Sequence, residues 1–141
     1  IFTDGTSDSR QLETTIEAVL NKTFKLPITV IVRSQTEIRD LLEHLPESWS
    51  ASTSQKCNVI FLRHTIDTPK LLDELAPKPG IEELHYYPGT LLWSAPTSNL
   101  TKSNMIKLSL NPKYKAMTVR IVNTVRKIYA LMEDASKAAE A

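Results

Sequence analysis

The sequence predicts an α+β domain: a mixed sheet with helices packed on it, built from split β-α-β units and followed by C-terminal helices. Three observations predict it. Segments with apolar residues at helical spacing alternate with β-branched runs at Ile28–Arg33 and Cys57–Arg63. Pro88-Gly89 joins two short extended runs at hairpin spacing. The last third of the chain returns to helical periodicity. With 141 residues, the chain is long enough for one well-buried core and too short for two ordinary domains.

The elements follow in order. The opening Ile1-Phe2 runs into Thr3-Asp4-Gly5 and reads as the end of a strand whose beginning is missing. Ser7-Asp8-Ser9 can cap a helix over about 9–23, with Leu12, Ile16, Val19 and Leu20 on one face. Pro27 ends it, and Ile28–Arg33 reads as a strand apolar on both faces, hence buried on both. Ser34-Gln-Thr-Glu37 is a capping box for a second helix, whose stripe is Ile38, Leu41, Leu42 and Leu45. Residues 46–56 read as a polar loop with Trp49 tucked inward, and 57–63 as a second buried strand. Asp67 is expected to cap a short third helix carrying Leu71, Leu72 and Leu75. The runs 82–87 and 90–95 form the hairpin. Residues 98–110 carry Leu100, Met105, Ile106 and Leu108 among lysines, the pattern of a basic amphipathic helix. Asn111-Pro112 breaks it, and 113–122 fits helix or extended chain. Asn123 or Thr124 caps the last helix, with Val125, Ile128, Leu131, Met132 and Ala135 inward. The short β-α-β pieces suit a ferredoxin-like arrangement. The expected organisation is a remnant of a first α/β unit at 1–33, a second unit ending in the hairpin at 34–97, and a basic helical segment at 98–141, all on one core.

Charge is unevenly spread. From Leu84 to Met132 there is no acid but seven bases: Lys102, Lys107, Lys113, Lys115, Arg120, Arg126 and Lys127. Residues 1–83 carry thirteen acids against nine bases. A one-sign segment favours anionic partners. No apolar run approaches the ~18 residues of a membrane helix. The single cysteine, Cys57, cannot form an internal disulfide and suits a cytoplasmic, reducing compartment. Its apolar strand predicts a buried, unreactive thiol.

No motif for a metal, cofactor or nucleophile emerges. Cys57 and His64 lie seven apart on one strand and so point to opposite faces, and His44 and His85 have no ligand-spaced partner. Three glycines cannot build the usual phosphate loops. Two groups of residues invite a functional reading. Tyr86, Tyr87 and Trp93 either cover the sheet edge or offer a stacking surface. Arg120, Asn123, Thr124 and Lys127, with Lys102 nearby in sequence, either cap a helix and sit in solvent or hold a phosphate or carboxylate at its N-terminus.

Thr101-Lys-Ser-Asn-Met-Ile-Lys107, Tyr114-Lys-Ala-Met-Thr-Val-Arg120 and Val122-Asn-Thr-Val-Arg-Lys127 resemble the C-terminal signature of the bacterial domain-of-unknown-function family 1697. Thr118, Arg120, Asn123, Thr124, Val125 and Lys127 match its pattern; Ile121 stands where the family has Asn. Ile1-Phe2 and Ile28–Ser34 resemble two of its earlier segments. The resemblance implies an α+β architecture of ferredoxin-like units and the absence here of the family's usual N-terminal segment. It implies no activity. The function expected is a non-catalytic module with a basic face that recognises nucleic acid or a phosphorylated small molecule. The alternatives are a protein-interaction or self-associating module, such as a homodimer, and an enzyme with part of its site in the missing segment.

Overall fold

The computed structural model describes residues 9–45, 49 and 55–140. In order they form α1 (Ser9–Phe24), α2 (Gln35–His44), β1 (Gln55–Leu62), α3 (Leu71–Leu75), β2 (Glu83–Tyr87) and β3 (Thr90–Pro96). Then come 3-10 turns at Thr97–Lys102, Asn104–Leu110 and Pro112–Ala116, followed by β4 (Met117–Ile121) and α4 (Val122–Glu140). The sheet order is β2-β3-β1-β4, and each neighbouring pair is antiparallel. The sheet is therefore antiparallel throughout, not mixed as expected. β1 and β2 run parallel with β3 between them and are joined through α3, which is the split β-α-β arrangement, whereas β3 and β4, parallel with β1 between them, are joined by the 3-10 turns. The fold class is α+β.

β1 lies at the centre and explains the packing. Its side chains alternate between faces. Cys57, Val59 and Phe61 meet Ile38 and Leu41 of α2 and Val122 and Val125 of α4. Ile60 and Leu62 meet Leu71 of α3, Leu91 and Trp93 of β3, and Leu108 of the 3-10 region. Both faces are covered, so the strand reads as a continuous apolar run. Each such side chain contributes about 1.5–3 kcal/mol on burial.

Local chemistry sets the helix ends. α1 stops at Lys25, a left-handed residue (φ 55°) whose amide reaches Asn21 O at 2.9 Å. The capping box of α2 forms as expected: Ser34 Oγ accepts from the Glu37 amide at 3.1 Å, and Glu37 Oε1 accepts from the Ser34 amide at 3.2 Å. Pro88-Gly89 turns the hairpin with Gly89 at φ 82°, which the third position of a type II turn requires. Trp49 is buried, as the reading of 46–56 supposed; the rest of that loop up to residue 54 lies outside the described residues, as does the opening at 1–8.

Several expectations are corrected. The segment 28–33 is extended but pairs with no strand among the described residues; the side chains of α1 receive its amides instead. The basic helix expected at 98–110 is a chain of 3-10 turns, and the ambiguous 113–122 resolves into a last 3-10 turn and β4. β4 runs straight into α4, so Asn123 and Thr124 lie inside its first turn rather than capping it. Leu131 is 58% exposed, not inward. Asp67 does not cap α3, which begins later, at Leu71. Its carboxylate holds the hairpin instead, accepting from Tyr86 Oη at 2.6 Å and the Gly89 amide at 3.0 Å.

Candidate functional site

The site grows from one face of α1. Glu13, Glu17 and Asn21 are spaced by four residues and so stack along that face. The chain that leaves α1 doubles back antiparallel to it. The amides of Ile28, Val30 and Val32 donate to Asn21 Oδ1 (2.5 Å), Glu17 Oε2 (2.9 Å) and Glu13 Oε1 (2.8 Å). A strand's period of two thus meets a helix's period of four. Arg63 Nε lies 3.2 Å from Glu17 Oε2, close enough to pair charges but not aligned as a hydrogen bond.

Glu13 is 1% exposed and is the hub. Besides the Val32 amide, its Oε1 accepts from Arg33 Nη1 at 3.2 Å, and its Oε2 lies 3.2 Å from His64 Nδ1. Burying a carboxylate is costly unless it is paired and hydrogen-bonded, and Glu13 is both. Arg33 joins the elements together. Its Nη2 donates to Leu62 O at 2.6 Å and Gly89 O at 2.9 Å, linking α1 to the end of β1 and to the hairpin turn. The guanidinium also sits 5.9 Å from the Phe61 ring centroid.

These groups line a cleft of about 330 Å³ with Arg10, Glu37, Asp67 and Pro88. Its chemistry follows from Glu13. That carboxylate already receives an amide and a guanidinium, so His64 must present Nδ1–H to it. In that tautomer of an imidazole the lone pair lies on Nε2, which has no partner among the described residues. Asp67 adds a second acceptor: Oδ1 takes both of its bonds, while Oδ2 has no partner among the described residues. The cleft therefore offers two anchored acceptors three residues apart, on the turn that follows β1. Among the described residues, no three His, Cys, Asp or Glu side chains converge to hold a metal ion.

The residues singled out from the sequence are spread over the molecule. Arg120, Asn123, Thr124 and Lys127 are each exposed, along the strip of chain where β4 enters α4. Lys102 does not join them. It ends the 3-10 turn after β3, where its carbonyl accepts from Lys78 Nζ at 2.8 Å. The aromatic group is also divided. Trp93 is buried, donating Nε1–H to the buried Glu82 carboxylate at 3.0 Å, which also receives Ser103 Oγ at 3.1 Å. Tyr86 packs on the α3 face of the sheet, and Tyr87 on the other face, where its ring centroid is 4.5 Å from His44. Sequence reasoning missed Glu13, Arg33, His64 and Asp67. The available signal was the Glu13-Glu17-Asn21 spacing, a polar stripe on a helix beside an apolar strand.

No curated protein matches the chain. Among solved structures it resembles a conserved bacterial protein, SP0830 from Streptococcus pneumoniae, with a TM-score of 0.76 and 19% identity, over 92% of this chain and 73% of that one. At that identity the likeness shows the fold. The family described as protein of unknown function (DUF1697) matches residues 1–93, a span that contains Glu13, Arg33, His64, Asp67 and Gly89 and ends before the basic strip. The match covers well over half of the chain, and the chain belongs to that family.

Proposed function

We propose that this protein is a binding module for a small polar molecule, held in the cleft between α1, the end of β1 and the β2–β3 turn. One observation carries the reading: a buried carboxylate fixes His64 through Nδ1 and leaves Nε2 unpartnered among the described residues, at the wall of a cleft. Concave sites with a few anchored polar groups are the usual form of small-molecule sites. The test is a thermal-shift screen of sugars, amino acids, amines and phosphorylated metabolites. A true ligand at 100 times its Kd adds about 2.7 kcal/mol of stability and raises Tm. His64→Asn keeps a donor for Glu13 but removes the Nε2 acceptor, so the shift should shrink. A silent screen, or a shift that His64→Asn leaves intact, ends this reading.

A second reading is anion recognition at Arg120, Asn123, Thr124 and Lys127. What favours it is their shared exposure and the lack of any acid in the first turn of α4. The strip spans one or two helical turns, and Lys113 is already paired with Glu74 at 2.7 Å. That extent suits one phosphate group of a small molecule better than a nucleic-acid backbone. Pyrophosphate binding lost in the Arg120→Ala, Lys127→Ala double variant supports it. Oligonucleotide binding that falls steeply with salt would assign nucleic acid instead.

A further inference from the structure

Resting on the cleft reading above, we propose that its ligand carries a primary ammonium group, read jointly by His64 Nε2 and Asp67 Oδ2. The charges lining the cleft are three acids (Glu13, Glu37, Asp67) against two bases (Arg10, Arg33). Arg33 is not available to a ligand. Its Nη1 is held by Glu13 Oε1 and Val32 O, and its Nη2 by Leu62 O and Gly89 O. Its Nε is 3.9 Å from Glu37 Oε2. It is also packed against the turn so closely that a Cβ on Gly89 would meet Nη2 at 3.1 Å.

The two acceptors are anchored from behind. Glu13 holds the Nδ1 edge of His64, and Tyr86 and Gly89 hold Oδ1 of Asp67. The turn after β1, closed by the Ile66 amide on Arg63 O at 3.0 Å, brings residues 64 and 67 to the same cleft wall. At these two acceptors a ligand faces the one negative charge of Asp67 and a lone pair from each group. An anion would meet those lone pairs head on. A hydroxyl has one proton and can serve one of them. An ammonium has three protons and the complementary charge, and serves both.

The test titrates the whole chain, followed by 15N–1H correlation spectra, with matched probes: ethanolamine against ethylene glycol, and glucosamine against glucose and glucose 6-phosphate. The amines should shift the Gly89 amide, which donates to Asp67, and the Val32 amide, which donates to Glu13, with saturation. Their uncharged counterparts should not. His64→Asn and Asp67→Asn, which keep the bonds to Glu13, Tyr86 and Gly89, should each weaken the amines tenfold or more while the spectra stay dispersed. Saturable binding of glucose or its phosphate without the amines overturns the ammonium assignment and leaves the cleft reading standing. Silence from every probe overturns both. Amine shifts unchanged in both variants overturn the assignment to His64 and Asp67.

Discussion

Arg33 shows how much one side chain can decide. It closes a buried carboxylate, two carbonyls of other elements and a hairpin turn at once. Arg33→Met keeps its bulk and removes all of these. Glu13 would be left buried without its cation, which typically costs about 3–5 kcal/mol. Urea unfolding should show that loss as a lower midpoint; a change below about 1 kcal/mol would mean Glu13 is compensated elsewhere. Tyr86 offers a second check. Burial, then the hydrogen bond to Asp67 and the Asp67 charge, push its phenol up to about 12, with the Gly89 backbone opposing. The folded value lies above the 10 usual for a phenol. The neutral phenol's contribution is therefore complete below pH 10 and is lost as pH rises towards 12. Ultraviolet titration should place the step that Tyr86→Phe removes near 12, and Asp67→Asn should lower it. None of these roles was legible in the sequence. Arg33 and Glu13 are twenty residues apart and Arg33 and Gly89 fifty-six, and periodicity carries no information about such pairings.

At the scale of elements, the sequence spoke clearly where the deciding forces are local. The extent of α1, the capping box of α2 and the Pro88-Gly89 turn were all readable because their stabilising groups are neighbours in the chain. The 3-10 region and β4 were not. Residues 97–116 space their apolar side chains like a helix, yet Pro112 removes a donor and the Ser, Thr and Asn residues compete for the backbone. β4 is extended because β1 offers it a ladder from Asn58 to Leu62, a partner far away in sequence. The β-branched run 28–33 predicts a strand buried on both faces; it is extended, but it joins no sheet among the described residues and none of its residues is buried. Hydrogen exchange tests its pairing with α1: the amides of Ile28, Val30 and Val32 should exchange more slowly than those of Thr29 and Ile31 between them. Glu17→Ala should release Val30 first. Uniform rates along the segment would count against the α1 side chains as its partners.

For the whole molecule, the α+β class and the split β-α-β order followed from the alternation of periods, since few topologies satisfy it. The uneven charge did not lead to the cleft, because the acid-free bases lie on surfaces away from it. Cys57 gives a global reporter. It is 7% exposed at the centre of the sheet, and burial raises its thiol above the usual range, with Arg126 opposing. Its reaction with a disulfide reagent should therefore track opening of the core and speed up in step with urea destabilisation. Fast labelling in native buffer would contradict this packing.

The ladder between α1 and residues 28–32 also acts as a vernier. Four helical residues advance about 6.0 Å, whereas two extended residues advance about 6.6 Å. Each rung therefore drifts by about 0.6 Å. Three rungs keep the drift within side-chain reach, and the Asn21, Glu17 and Glu13 contacts use all three. The next position four residues back is Ser9, where α1 begins, and the ladder runs out at Val32, immediately before Arg33 turns towards the cleft.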